Sequence, residues 1–203
     1  LNADVDIQSV KKEIETRLNA IKYVSIPPKL SLPAVPDFQP TQLYLYDQEP
    51  GIHAQEFWSA YAVYGAGVKV CDIEYTFNDL HEDLPTVTIL GTQPEDPGFG
   101  PDHGTAVLGE IASLNDGVGT TGIAYQSQLF FAGAYFDQTY FLEEALISTL
   151  DELGPGDIVL IEQQIGGPDA SPDYVPVEWY EPYYDAIQLI SGNGLIVVEA
   201  AGN

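Results

Sequence analysis

Over residues 5–20 the apolar positions Val5, Val10, Ile14 and Leu18, with Ile21 just beyond, fall at mixed three- and four-residue steps. That spacing predicts a short amphipathic helix. A run of prolines follows at Pro27, Pro28, Pro33, Pro36 and Pro40. Each restricts the residue before it to extended backbone, so the stretch predicts a semi-rigid connector. Residues 1–40 therefore read as an N-terminal arm or linker, and 41–203 as the main domain.

From about residue 42 the pattern changes. Near-continuous apolar runs cover Val68 to Ile73 (after the turn Gly65-Ala66-Gly67), Leu129 to Tyr135, Ile158 to Ile161 and Leu195 to Ala200. Between them lie segments with helical spacing. One opens near His103 and carries Val107, Leu108, Ile111 and Ala112. Another spans Phe141 to Leu150, and a third is marked by Tyr183, Ala186, Ile187 and Ile190. Strands apolar on both faces, alternating with helices, predict a three-layer α/β/α fold around a mostly parallel sheet. Open sheets of this kind place their sites at the carboxyl ends of strands. That rule directs attention to residues near 74, 136, 165 and 203.

Composition then narrows the partners. Thirty-one acidic residues against six basic ones leave a formal charge of −25, which repels phosphate backbones and anionic membranes. Nucleic acid and membrane surfaces are thus disfavoured as partners. The acidity suits high salt, calcium or an extracellular setting, and a merely solvated acidic surface would look the same. Cys71, the sole cysteine, sits in an apolar run and reads as a small core residue, not a nucleophile. No apolar stretch reaches the roughly 18–20 residues of a membrane span. The start at Leu1, without a signal-peptide pattern, is expected to be a cut end.

Four segments carry candidate chemistry. The run Gly65-Ala66-Gly67-Val68-Lys69-Val70-Cys71-Asp72-Ile73-Glu74 ends in two carboxylates and is followed by His81-Glu82-Asp83-Leu84. His103-Gly104-Thr105-Ala106-Val107-Leu108-Gly109 opens a helix. Leu114-Asn115-Asp116-Gly117-Val118-Gly119-Thr120 is a glycine-rich loop. Gly194 to Asn203 forms a strand ending in Ala201-Gly202-Asn203. On residues alone, Asp72 and Glu74 are strand-end carboxylates and the loop is an Asn-Asp-Gly turn.

Taken in order, these segments resemble the subtilases, the subtilisin-like serine peptidases of family S8, over roughly residues 50–203. The resemblance implies a triad acid at the tip of the first strand, seven residues before the second motif's histidine. Glu74, not Asp72, stands seven residues before His81. Glu74 then replaces the family's aspartate, and Asp72, on the same strand face and about 7 Å deeper, supports it or is itself the acid. His103 matches the family's general base, and Asn203 the amide that donates to the oxyanion. Gln164-Ile165-Gly166 stands where the family pairs an extended polypeptide substrate, with Tyr135 as a further substrate contact. The family's calcium loop implies Ca²⁺ held by Asp83, Asp116 and the carbonyls of Leu114, Val118 and Thr120, with Gln42 a loose candidate. Hard oxygen ligands on a glycine-rich loop suit that ion.

In the family the nucleophilic serine follows the asparagine motif. Ser113, Ser127 and Ser148 lack its Gly-Thr-Ser-Met-Ala setting. The expected partner is therefore a Ser-bearing C-terminal portion of the same precursor, and this chain alone is expected to be inactive. The resemblance makes the protein secreted and residues 1–40 a candidate prodomain remnant. Two other readings stay open: a catalytically inactive subtilase-fold binding or structural module, and an acidic calcium-binding α/β domain of other function.

Overall fold

The computed structural model describes residues 6–17, 35–46, 51–167 and 174–203. It contains two compact units, 1–34 and Val35–Asn203. In the first, helix α1 (Ile7–Arg17) carries an Arg17–Glu13 ion pair at 2.8 Å along its surface. Pro27, Pro28 and Pro33 of the predicted connector lie outside the described residues.

The second unit begins with residues pinned by backbone hydrogen bonds. Phe38 N–H donates to Gly119 O, and Gly119 N–H donates to Pro36 O. Helix α2 (Ala54–Tyr61) follows, then β1 (Lys69–Glu74), β2 (Val87–Leu90), α3 (Asp102–Ala112) and β3 (Gln128–Gly133). A small hairpin, β4 (Tyr135–Phe136) and β5 (Thr139–Tyr140), leads into α4 (Leu142–Ser148). Next come β6 (Ile158–Ile161), β7 (Ile165–Gly166), β8 (Tyr174–Val175), α5 (Glu181–Gly192) and β9 (Ile196–Glu199).

Five strands form one sheet in the order β2-β3-β1-β6-β9. Every pairing in it is parallel. The alternation of strand and helix dictates this, because a parallel pair needs a crossover connection. Side chains then divide by parity. Cys71 and Ile73 of β1 join Leu146, Ala186 and Ile190 under α4 and α5. Val70 joins Leu108, Ala112, Leu129 and Phe131 under α3. Fully burying a leucine or isoleucine in such layers contributes about 1.5–3 kcal/mol. Cys71 is fully buried, and that burial pushes its thiol pKa well above the usual value, with the Asp72 carboxyl adding to the effect.

Two elements escape the hydrophobic pattern. β2 is a four-residue edge strand with Thr88 exposed, and α2 buries only Ala54. The chain leaves β1 for β2 on one side of the sheet and later crosses to β6 on the other. This reversal of direction makes the carboxyl end of β1 a natural site for a cleft.

Candidate active site

Glu74 closes β1, and its side chain is 9% exposed. Its Oε1 lies 3.0 Å from Nδ1 of His103, and its Oε2 accepts the N–H of Tyr75. His103 stands in the first turn of α3, with its side chain 61% exposed. The elements are fixed where they meet. A Cβ on Gly104 would lie 2.4 Å from the carbonyl oxygen of Thr76, so only glycine lets the helix approach so closely. Thr105 Oγ1 accepts the N–H of Asn78 at 2.8 Å and donates to Pro101 O at 2.7 Å. Just ahead, the Asp96 carboxylate gathers the N–H groups of Gly98, Phe99 and Gly100. Those bonds, Gly98 foremost, hold the Asp96 pKa below the usual value.

Burial raises the Glu74 carboxyl pKa, while the Tyr75 N–H and the His103 ring oppose the rise. A carboxylate facing Nδ1 selects the tautomer with its proton on Nδ1, leaving Nε2 free to accept a proton, and it stabilises the ring once charged. The other histidines sit differently. His53 Nδ1 faces exposed Glu56 at 3.1 Å, and His81 Nδ1 accepts the N–H of Asp83. Asp72 is 0% exposed, and neither of its oxygens has a hydrogen-bond partner among the described residues.

The tips of β6 and β9 meet nearby in the sheet. Gln164 Oε1 accepts the N–H of Asn203 at 3.0 Å, and the N–H of Tyr174 donates to Asn203 O at 3.0 Å. Asn203 itself is exposed. Ile165 and Gly166 pair antiparallel with Val175 and Tyr174. With Gln164 they line a cavity of about 300 Å³, whose remaining wall includes Tyr75, Tyr140 and Tyr183. Tyr135 instead packs its ring on Tyr140, centroids 5.0 Å apart, and does not line that cavity. The tyrosines on the wall come from three separate segments, so no local pattern in the sequence announces them.

The glycine-rich loop surrounds Asp83, which is 5% exposed. Its Oδ2 accepts both the N–H and the hydroxyl of Thr120, each at 2.7 Å, while its buried Oδ1 has no hydrogen-bond partner among the described residues. Gly119, at φ +62°, lies so close that a Cβ there would sit 2.5 Å from the carboxylate. Leu114 N–H donates to Asp83 O at 2.9 Å. Asp116 is exposed and accepts the N–H of Val118. Gln42 is engaged elsewhere, holding both the N–H and the carbonyl of Thr121. The orphaned oxygen and the glycine beside it fit a hard cation. Among the described residues no group of three His, Cys, Asp or Glu side chains could hold one, so loop carbonyls would have to complete the ligand set.

No family model matches the chain. Subtilisin of Bacillus pumilus is 27% identical over 158 residues, covering 76% of this chain and 52% of that protein. M-protease of Shouchella clausii is 26% identical over an alignment of 222 residues, covering 100% of this chain and 55% of that protein. The chain thus spans about half the length of these curated relatives. Among solved structures, a protease from Pseudoalteromonas arctica superposes with a TM-score of 0.60 at 19% identity, over 81% of this chain and 58% of that one. In sequence this chain is thus similar to the subtilisins, a group of serine peptidases, and its mostly parallel sheet shares the α/β fold of a subtilisin-like protease.

Proposed function

We propose that this chain supplies the acid, the base and an oxyanion donor of a subtilisin-type serine endopeptidase. The observation that carries the proposal is the 3.0 Å contact between Glu74 Oε1 and His103 Nδ1 at a strand tip. Glu74 orients the ring and stabilises it when charged, and His103 Nε2 takes the proton of a serine hydroxyl and returns it to the leaving amine. The serine oxygen bonds to the scissile carbonyl carbon, and the resulting oxyanion is met by the side-chain amide of Asn203. Gln164, Ile165 and Gly166 receive an extended polypeptide, with aromatic side chains of the substrate suited to the tyrosine-walled cavity. The serine belongs to a C-terminal portion of the same precursor, and residues 1–203 alone do not hydrolyse peptides.

Calcium is part of the same proposal. Asp83, Asp116 and the carbonyls of Leu114, Val118 and Thr120 would hold it, and its contribution would be to cross-link the loop to the segment after β1. The unpartnered Asp83 oxygen supports this. An exported protein, working where calcium is plentiful, agrees with the −25 charge. Adding EDTA to the calcium-loaded protein should lower its melting temperature by linkage. An unchanged melt would contradict the ion.

The decisive test is labelling of the full-length protein with a fluorophosphonate. Covalent labelling that is lost in His103→Ala supports the peptidase. Absence of labelling in a folded, full-length protein would favour a non-catalytic module.

A further inference from the structure

Asp72 stands two residues before Glu74 and, by strand parity, on the same face of β1, with Val70 and toward α3. It is completely enclosed, and both its carboxyl oxygens lack hydrogen-bond partners among the described residues. The register brings in a third carboxyl. Ile73 pairs with Ile161 on β6, so the next residue along each strand sets Glu162 beside Glu74. Glu162 is half-buried there. On the other side, β3 presents Phe131 opposite Asp72, an apolar ring without charge. Helix α3 contributes the His103 imidazole, already engaged by Glu74.

Three carboxyl groups thus share one patch with a single imidazole. An unpaired buried anion costs far more than a buried neutral acid, and neighbouring like charges add to the cost. The deepest group, with no donor facing it, is therefore the one that keeps a proton. Burial pushes the Asp72 carboxyl pKa well above the usual range, and the charges of Glu74 and Glu162 push the same way.

We propose that Asp72 is the proton-bearing member of this cluster and stays uncharged behind the Glu74–His103 pair, leaving the negative charge on Glu74. The inference rests on reading that pair as acid and base. In its neutral form Asp72 does not compete with Glu74 for the charged imidazole.

The test follows carboxyl resonances by NMR in the full-length protein, so it reads protonation without turnover. The Asp72 carboxyl signal, identified by its loss in Asp72→Asn, should titrate at a higher pH than the Glu74 carboxyl signal. Asp72→Asn should leave the Glu74 carboxyl midpoint unchanged, since one neutral group replaces another. Glu162→Gln should lower the Asp72 midpoint, and this readout stands if Asp72→Asn does not fold. An Asp72 midpoint near the ordinary value of about 4 would overturn the proposal. So would a clear fall in the Glu74 carboxyl midpoint of Asp72→Asn, the mark of a removed anion. Failure of the full-length protein to react with fluorophosphonate would instead sink the peptidase reading and leave these titrations as they are.

Discussion

Two glutamates end parallel strands of the same sheet, and their surroundings set them apart. Glu74, at the tip of β1, faces an imidazole and a backbone N–H. Glu199, at the tip of β9, accepts the N–H of Val177 at 2.6 Å but also meets the carboxyl of Glu178. Burial raises both carboxyl pKa values. At Glu74 the two partners oppose the rise, whereas at Glu199 the neighbouring acid adds to it and the pKa reaches about 7. An imidazole facing a strand-end carboxyl thus opposes the protonation that burial favours, and a second acid hydrogen-bonded to it promotes that protonation. The first arrangement suits the orienting of a base. The second couples the end of β9, four residues before Asn203, to pH near neutrality.

The comparison can be broken most severely at the first tip. His103→Ala in the full-length protein should reduce kcat for peptide hydrolysis on the order of 10⁶-fold, the size already known for subtilisins. A loss of only a few fold would remove His103 from the reaction. Asn203→Ala should cost about 10²–10³-fold in kcat with KM little changed, again a magnitude established for subtilisins and not inferred from this chain. A change confined to KM would make Asn203 a substrate contact instead.

The mounting of the first tip gives a smaller effect. Gly104→Ala forces a Cβ against the Thr76 carbonyl. It should destabilise the fold by about 1–3 kcal/mol, read as a lower urea midpoint. Wild-type stability would show that α3 can shift freely. At the second tip, the folded-state pKa of Glu199 lies above its ordinary 4.5. The stability it contributes is then fully present below about 4.5 and lost as pH rises to about 7. The melting temperature should fall over that window, and Glu199→Gln should flatten part of the fall. Equal slopes in the two proteins would show that Glu199 has no such role.

The central strands were legible because β1, β3, β6 and β9 are apolar runs separated by helical periodicity. Edge strand β2 and helix α2 were not, since neither carries a full apolar face. The pairing of Glu74 with His103 was legible only through the resemblance, in which the acid stands seven residues before the second motif's histidine, here His81. Glu162 is different. It approaches Glu74 only through the pairing of β1 with β6, a register between segments far apart in the chain. Gln42 likewise meets Thr121 across 79 residues of sequence. Local pattern identifies the elements, and pairing between them decides which polar groups meet.

The account depends most on which carboxyl serves His103. Peptide hydrolysis by full-length Glu74→Gln and Asp72→Asn, measured side by side at neutral pH, tests this directly. Glu74→Gln should lose about 10⁴-fold in kcat, the penalty of a mis-set histidine tautomer, while Asp72→Asn keeps most of its activity. Equal losses, or a larger loss at Asp72, would contradict the assignment.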